Sequence, residues 1–167
     1  MAQTKTIDAI RFLTADHKLL RGLLSDLEST TERGAKKRSD ILDRLQAAIR
    51  AHAKVEEEIF YPAFHDAAKS KEDNAKFLEA TEEHGLVDIV LPELEATSTT
   101  SEVFGAKAKV LKDLIEHHAE EEEEEMFPRA RKLLGKQRLG DLGAEMAVRH
   151  EQLLAEHSGA RKTRARR

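Results

Sequence analysis

Residues 111–128, LKDLIEHHAEEEEEEMFP, restate residues 45–62, LQAAIRAHAKVEEEIFYP, and this correspondence decides the fold. At one constant offset Leu45 pairs with Leu111, Ile49 with Ile115, His52 with His118, Ala53 with Ala119, Glu56 with Glu122, Glu57 with Glu123, Glu58 with Glu124 and Pro62 with Pro128, and an aromatic residue stands before each proline. The apolar positions of both copies recur in steps of three and four, which is the period of one face of an α-helix. Each copy also sets His four residues before Glu, so that the two side chains stack on that face. Two long helices built to one design predict a pair of αα-hairpins.

The rest of the chain supplies their partners. In the first predicted helix Ile10, Leu13, His17, Leu20, Leu24 and Leu27 form an aliphatic seam interrupted by one histidine. The second helix continues as Leu42, Leu45, Ile49, His52, Glu56 and Ile59, the third as Phe77, Thr81, His84, Asp88 and Leu91, and the fourth as Ala108, Leu111, Ile115, His118 and Glu122. Turn-forming residues cluster near 30–35, 68–73, 96–102 and 135–140. They leave helices near 5–29, 37–67, 74–96, 103–133 and 138–157, with Ser101 and Glu102 as capping residues for the fourth. The expected fold is all-α, an antiparallel up-and-down four-helix bundle over residues 1–135. A short extra C-terminal helix over 136–158 would pack through Leu139, Leu142, Met146 and Leu153 or form a dimer contact, and a basic disordered tail would occupy 159–167.

Composition agrees and excludes much else. Of 167 residues 36% are charged and 4% aromatic, which suits helices and not sheets. No cysteine is present, so disulfides, thiolate metal sites and iron–sulfur clusters are ruled out, and any metal must be held by nitrogen and oxygen. No signal peptide or membrane-spanning run is visible, and a soluble, cytoplasmic monomer or homodimer is expected. A net charge of −4 gives no general attraction for nucleic acid, apart from the basic ARKTRARR end.

A carboxylate in an aliphatic seam costs several kcal/mol unless a cation or hydrogen bonds compensate it. Glu56 and Glu122 therefore need a partner inside. Two His-x3-Glu units facing each other, joined by His17 and His84, bring four imidazoles and two carboxylates to one point, the donor set for a pair of metal ions. With both glutamates bridging, each metal receives two histidines and keeps an open position for a small exogenous molecule. Non-haem iron suits this best, since zinc more often settles with four ligands and manganese with more oxygen. In the acidic run 120–125 only Glu122 has the right phase, with Glu121 and Glu125 as fallbacks. His117, about 100° round the helix from His118, reads as exposed or as an outer neighbour of the site and not as a ligand, and His65, His150 and His157 read as surface residues. Tyr61 reads as an aromatic ending a core helix, with a redox-active neighbour or gate as the alternative. Pro62, Pro92 and Pro128 read as residues that bend or stop helices near the bundle mouth.

His17 in ADHKLLRGLL, His52 and Glu56 in HAKVEEEIFYP, His84 in EEHGLV, and His118 and Glu122 in HAEEEEEEMFP together resemble the ordered motifs of the hemerythrin-like HHE cation-binding family, over residues 5 to about 133. The resemblance implies a bundle holding a non-haem di-iron centre at those six positions. Members of that family variously bind oxygen or nitric oxide, handle peroxide, or sense iron and oxygen. The chain departs from the oxygen carriers in one place: they have His-x3-His on the third helix, and here Asp88 stands four residues after His84. That counts against reversible oxygen transport and leaves Asp88 as a seventh ligand, an outer acceptor or neither. The expected function is binding of, or reaction with, dioxygen, nitric oxide or peroxide, whether or not with enzymatic turnover. The alternative is an iron- or oxygen-responsive sensor acting through a protein partner. A metal-free interaction bundle is disfavoured because it leaves Glu56 and Glu122 buried without a counter-charge. No phosphate loop, nucleophile elbow or HExxH motif offers a second catalytic site.

Overall fold

The computed structural model describes residues 7–164. Helix α1 spans Ala9–Glu28 and is followed by a 3-10 turn, Glu32–Gly34. Helix α2, residues 35–67, comprises an α-helical segment Ala35–Val55, a π turn Glu56–Phe60 and a last α-helical segment Tyr61–Ala67. Helix α3 spans Lys71–Glu95. Helix α4, residues 102–134, contains Glu102–Glu121, a second π turn Glu122–Met126, and the start of Phe127–Arg164. Gly135, at φ 70 and ψ 171, breaks that last helix, a conformation suited to glycine, and α5 runs over 136–164. The four long helices form an antiparallel up-and-down bundle, with α5 folded back against α1 and α2.

Side-chain caps set the starts. Asp8 accepts from the Arg11 backbone N–H, Ser70 from Asp73 and Ser101 from Val103, each satisfying a donor that the helix itself leaves free. The first helix thus begins at Ala9, and residues 1–6, part of which were expected to be helical, lie outside the described residues. Buried Arg38 fixes the far end of the bundle. Its Nη1 donates to the Thr99 carbonyl at 2.7 Å, its Nε donates to the Thr30 hydroxyl at 3.0 Å, and its guanidinium lies over the Phe104 ring.

The two π turns occupy equivalent places in the internal repeat. Each opens on the seam glutamate, with Tyr61 N–H donating to the Glu56 carbonyl and Phe127 N–H to that of Glu122. A proline follows six residues after each glutamate, Pro62 and Pro128, and it can neither donate to the α ladder nor sit comfortably against the carbonyl four residues before it. Such single π turns gather at functional sites. Pro92, by contrast, lies within continuous α-helix.

Two apolar clusters fill the interior. One gathers Leu20, Leu24, Leu45, Ile49, Leu91, Phe104 and Leu111; the other gathers Ile10, Leu13, Val55, Phe60, Phe64, Met126 and Phe127. Between them, along every long helix, lies the layer of histidines and glutamates. The seams expected on α1, α2 and α4 are buried throughout. On α3 the seam differs: Thr81 and Asp88 are exposed, while Ala80, His84, Leu91 and Leu94 are buried. Both readings step by three and four from Phe77, and only the rotation of α3 against its neighbours distinguishes them. Helix α5 buries Leu139, Leu142 and Met146 in the second cluster, and its backbone at Gly143 passes so close to Ile7 and Asp8 that a Cβ would collide with them. The helix continues through 159–164, where a disordered tail was expected; residues 165–167 lie outside the described residues.

Candidate metal centre

All six residues singled out in the sequence are buried: His17, His52, Glu56, His84, His118 and Glu122, with Glu56 0% exposed. They converge as two groups that share Glu56, one of His17, His52, Glu56 and Glu122 and the other of Glu56, His84 and His118. His52 Nε2 stands 3.2 Å from Glu56 Oε1, His84 Nε2 3.2 Å from Glu56 Oε2, and His17 Nε2 3.2 Å from Glu122 Oε2. His118 Nε2 lies 3.7 Å from the same Glu122 oxygen. These approaches do not complete hydrogen bonds. His17 Nε2, His52 Nε2, both oxygens of Glu56 and Glu122 Oε2 are buried without a hydrogen-bond partner. Native interiors seldom leave such groups unsatisfied, and five of them gathered within these two groups fit cations.

The opposite edge of each imidazole is fully engaged. His17 Nδ1 meets Glu123 at 2.8 Å, His52 Nδ1 meets Asp16 at 3.3 Å, His84 Nδ1 meets Glu57 at 3.1 Å and His118 Nδ1 meets Glu83 at 2.7 Å. A carboxylate on Nδ1 places the proton there and turns the Nε2 lone pair inward, the arrangement that orients metal-binding histidines. Sequence reasoning did not assign these four acids. The signal was present, because Asp16 and Glu83 immediately precede His17 and His84, and Glu57 and Glu123 follow Glu56 and Glu122 at matched places in the repeat.

The structure decides the place of three further residues. Tyr61 does more than end a core helix: its hydroxyl donates to Glu122 Oε1 at 2.8 Å and lies 3.2 Å from His84 Nε2. The π turn at Glu56 carries Tyr61 round to this inner face. Asp88 is exposed and belongs to neither group. His150, read as a surface residue, is half-buried against Phe12 and stands 3.4 Å from Asp16 Oδ2, the oxygen that meets His52. His117 and His65 are exposed as expected.

The imidazoles and carboxylates of this layer shift one another's pKa values. Burial opposes charge on His52, but Glu56 and Asp16 outweigh it and push its pKa up to about 10. His84 and His118 also move upward against burial, through Glu56 and Glu57 for the first and Glu122, Glu56 and Glu83 for the second. Glu56 is held well below the usual carboxylate range, chiefly by His52 working against its burial. Burial and the charge of Glu122 raise the Tyr61 phenol well above its ordinary value, so it remains a donor. A cavity of about 40 Å³ is lined by the four histidines together with Leu20, Ile49, Arg50, Ala53, Val87, Asp88 and Ile115. It has room for a molecule of a few atoms, since one water needs roughly 10–15 Å³.

The sequence matches the family model described as Hemerythrin HHE cation binding domain over residues 8–130. Among solved structures it resembles the crystal structure of a Hemerythrin HHE cation binding domain-containing protein from Mycobacterium kansasii, with a TM-score of 0.78 and 26% identity, covering 90% of this chain and 89% of that one. A search of curated proteins returns no match. No helix among the described residues is long and apolar enough to cross a membrane.

Proposed function

The chain belongs to the hemerythrin HHE cation-binding domain family, and from that premise we propose that its buried layer holds a carboxylate-bridged non-haem di-iron centre that binds or reacts with a small oxidant: dioxygen, nitric oxide or peroxide. The observation that carries the reading is the set of five buried, partnerless donor atoms on His17, His52, Glu56 and Glu122, backed by carboxylates on the far side of all four histidines. His17, His52, Glu56 and Glu122 would hold one iron, and His84, His118 and the second oxygen of Glu56 the other, with Glu122 able to reach across. Four imidazoles with two carboxylates favour iron over zinc, which prefers four ligands, and over manganese, which prefers more oxygen. Such a pair supplies coordination of, and electrons to, a small oxidant.

The protein's own part follows from the geometry. Asp16, Glu57, Glu83 and Glu123 hold the proton of each histidine on Nδ1, so no reorientation is needed for Nε2 to face the centre. The apolar clusters above and below exclude bulk water, and the Leu20–Ile49–Val87–Ile115 cavity admits only small molecules. Tyr61 holds its one proton on Glu122 Oε1 inside this dry layer, and its oxygen, 3.2 Å from His84 Nε2, is left as an acceptor. The test is metal analysis after anaerobic loading with ferrous iron, followed by absorption spectroscopy as air is admitted. About two irons per chain and new near-ultraviolet bands in air are expected. A folded protein that retains no iron, manganese or zinc overturns the reading.

A further inference from the structure

We propose that Glu83, His117 and Glu121 form a separate divalent-cation site on the surface of the bundle, suited to zinc or another borderline divalent ion and distinct from the buried layer. His117 Nε2 lies 3.5 Å from Glu83 Oε1 and 3.4 Å from Glu121 Oε1, and one ligand atom from each of the three residues lies within 4.8 Å of the others. Ligands bound at about 2.1 Å around a tetrahedral ion stand roughly 3.4 Å apart, so the two separations from His117 match two edges of a zinc-sized tetrahedron. A single imidazole N–H cannot point at two carboxylates at once, whereas a cation between them serves all three donors. His117 is 63% exposed, which leaves the fourth corner open to water.

The sequence repeat gives an independent reason to treat this group as more than a by-product of the bundle. His117 and Glu121 form another His-x3-Glu unit on α4, one residue out of phase with His118 and Glu122. The equivalent places on α2 are Ala51 and Val55, both buried, so the architecture does not require polar residues there. Helix α3 completes the site from the other side. Glu83 has its Oε2 on His118 Nδ1 at 2.7 Å and its Oε1 toward His117, so one carboxylate lies between the surface site and the buried layer. Lys76, 3.8 Å from Glu121 and 2.9 Å from Glu125, offsets part of the local negative charge, which favours an exchangeable ion over a permanently held one.

Zinc titrated calorimetrically into the full chain, after loading with iron and removal of loosely held metal, tests the site, with zinc per chain counted in parallel. One further zinc equivalent is expected. It should disappear in His117→Ala and in Glu121→Gln, both at accessible positions whose replacement leaves the helices intact, and it should persist in His65→Ala, an exposed histidine elsewhere. Absence of a further equivalent, or its survival in His117→Ala, overturns the proposal. The surface site does not depend on the buried one: if the protein retains no iron, the same titration and variants still read the surface equivalent, so the two readings fail separately.

Discussion

Glu56→Gln probes the buried layer most directly, because Glu56 alone belongs to both convergent groups and is 0% exposed. Glutamine keeps the shape and volume but replaces one oxygen by an amide nitrogen, which cannot bind a cation, and removes the charge that a cation requires. One metal position therefore loses its Glu56 donor and the other keeps only a neutral carbonyl oxygen, so a single substitution weakens both. His17→Gln touches only the group with His52 and Glu122, so it should remove one metal and leave the other. A metal present at 1,000 times its dissociation constant stabilises the folded state by about 4 kcal/mol. In a domain of this length each kcal/mol moves the melting temperature by roughly 2–4 °C, which gives about 8–16 °C for one metal and about twice that between fully loaded and chelator-stripped protein. Thermal unfolding by circular dichroism, paired with metal analysis, should show that difference in the unsubstituted protein, part of it in His17→Gln and almost none in Glu56→Gln. Full metal content and an undiminished melting increment in Glu56→Gln would refute the assignment.

Other outcomes follow from particular contacts. Tyr61→Phe keeps the ring in the core but leaves Glu122 Oε1 without its donor, and should cost about 1–3 kcal/mol in urea unfolding of metal-free protein. In metal-free protein the raised His52 pKa contributes stability that is fully present below the unfolded value near 6.5 and is lost as pH rises through about 10. The urea midpoint should fall across that window without metal and hold steady in iron-loaded protein, where the ion takes the place of the proton. Gly143→Ala should loosen α5, because the new methyl would stand 2.7 Å from the Asp8 carbonyl carbon and 2.8 Å from the Ala9 nitrogen, whereas Gly140→Ala, with open space around it, should stabilise by about 0.5–1 kcal/mol. Leu142→Ala, at a fully buried position, should cost about 2–5 kcal/mol, measured by denaturant unfolding.

Much of this protein was determined by the sequence itself. Helical periodicity places residues on a face whatever the neighbouring helix does, so His17, His52, Glu56, His118 and Glu122 could be assigned to the interior from spacing alone, and the internal repeat doubled the signal for the two His-x3-Glu helices. Turn chemistry located the loops, and Ser101 capped the helix it was expected to cap. Spacing within one helix carries no information about how that helix is rotated against its neighbours. For that reason α3 was read with Thr81 and Asp88 inside, when the packed structure turns Ala80 and Leu94 inward around the same His84. Spacing left Tyr61 open between a helix-ending aromatic and a neighbour of the site for a related reason: a π turn inserts an extra residue into the helical count, and only after that shift does the phenol meet Glu122. The carboxylates behind each imidazole and the approach of His150 to Asp16 join residues up to 134 positions apart in the chain. Contacts of that kind depend on the register between packed helices, which tertiary structure alone decides.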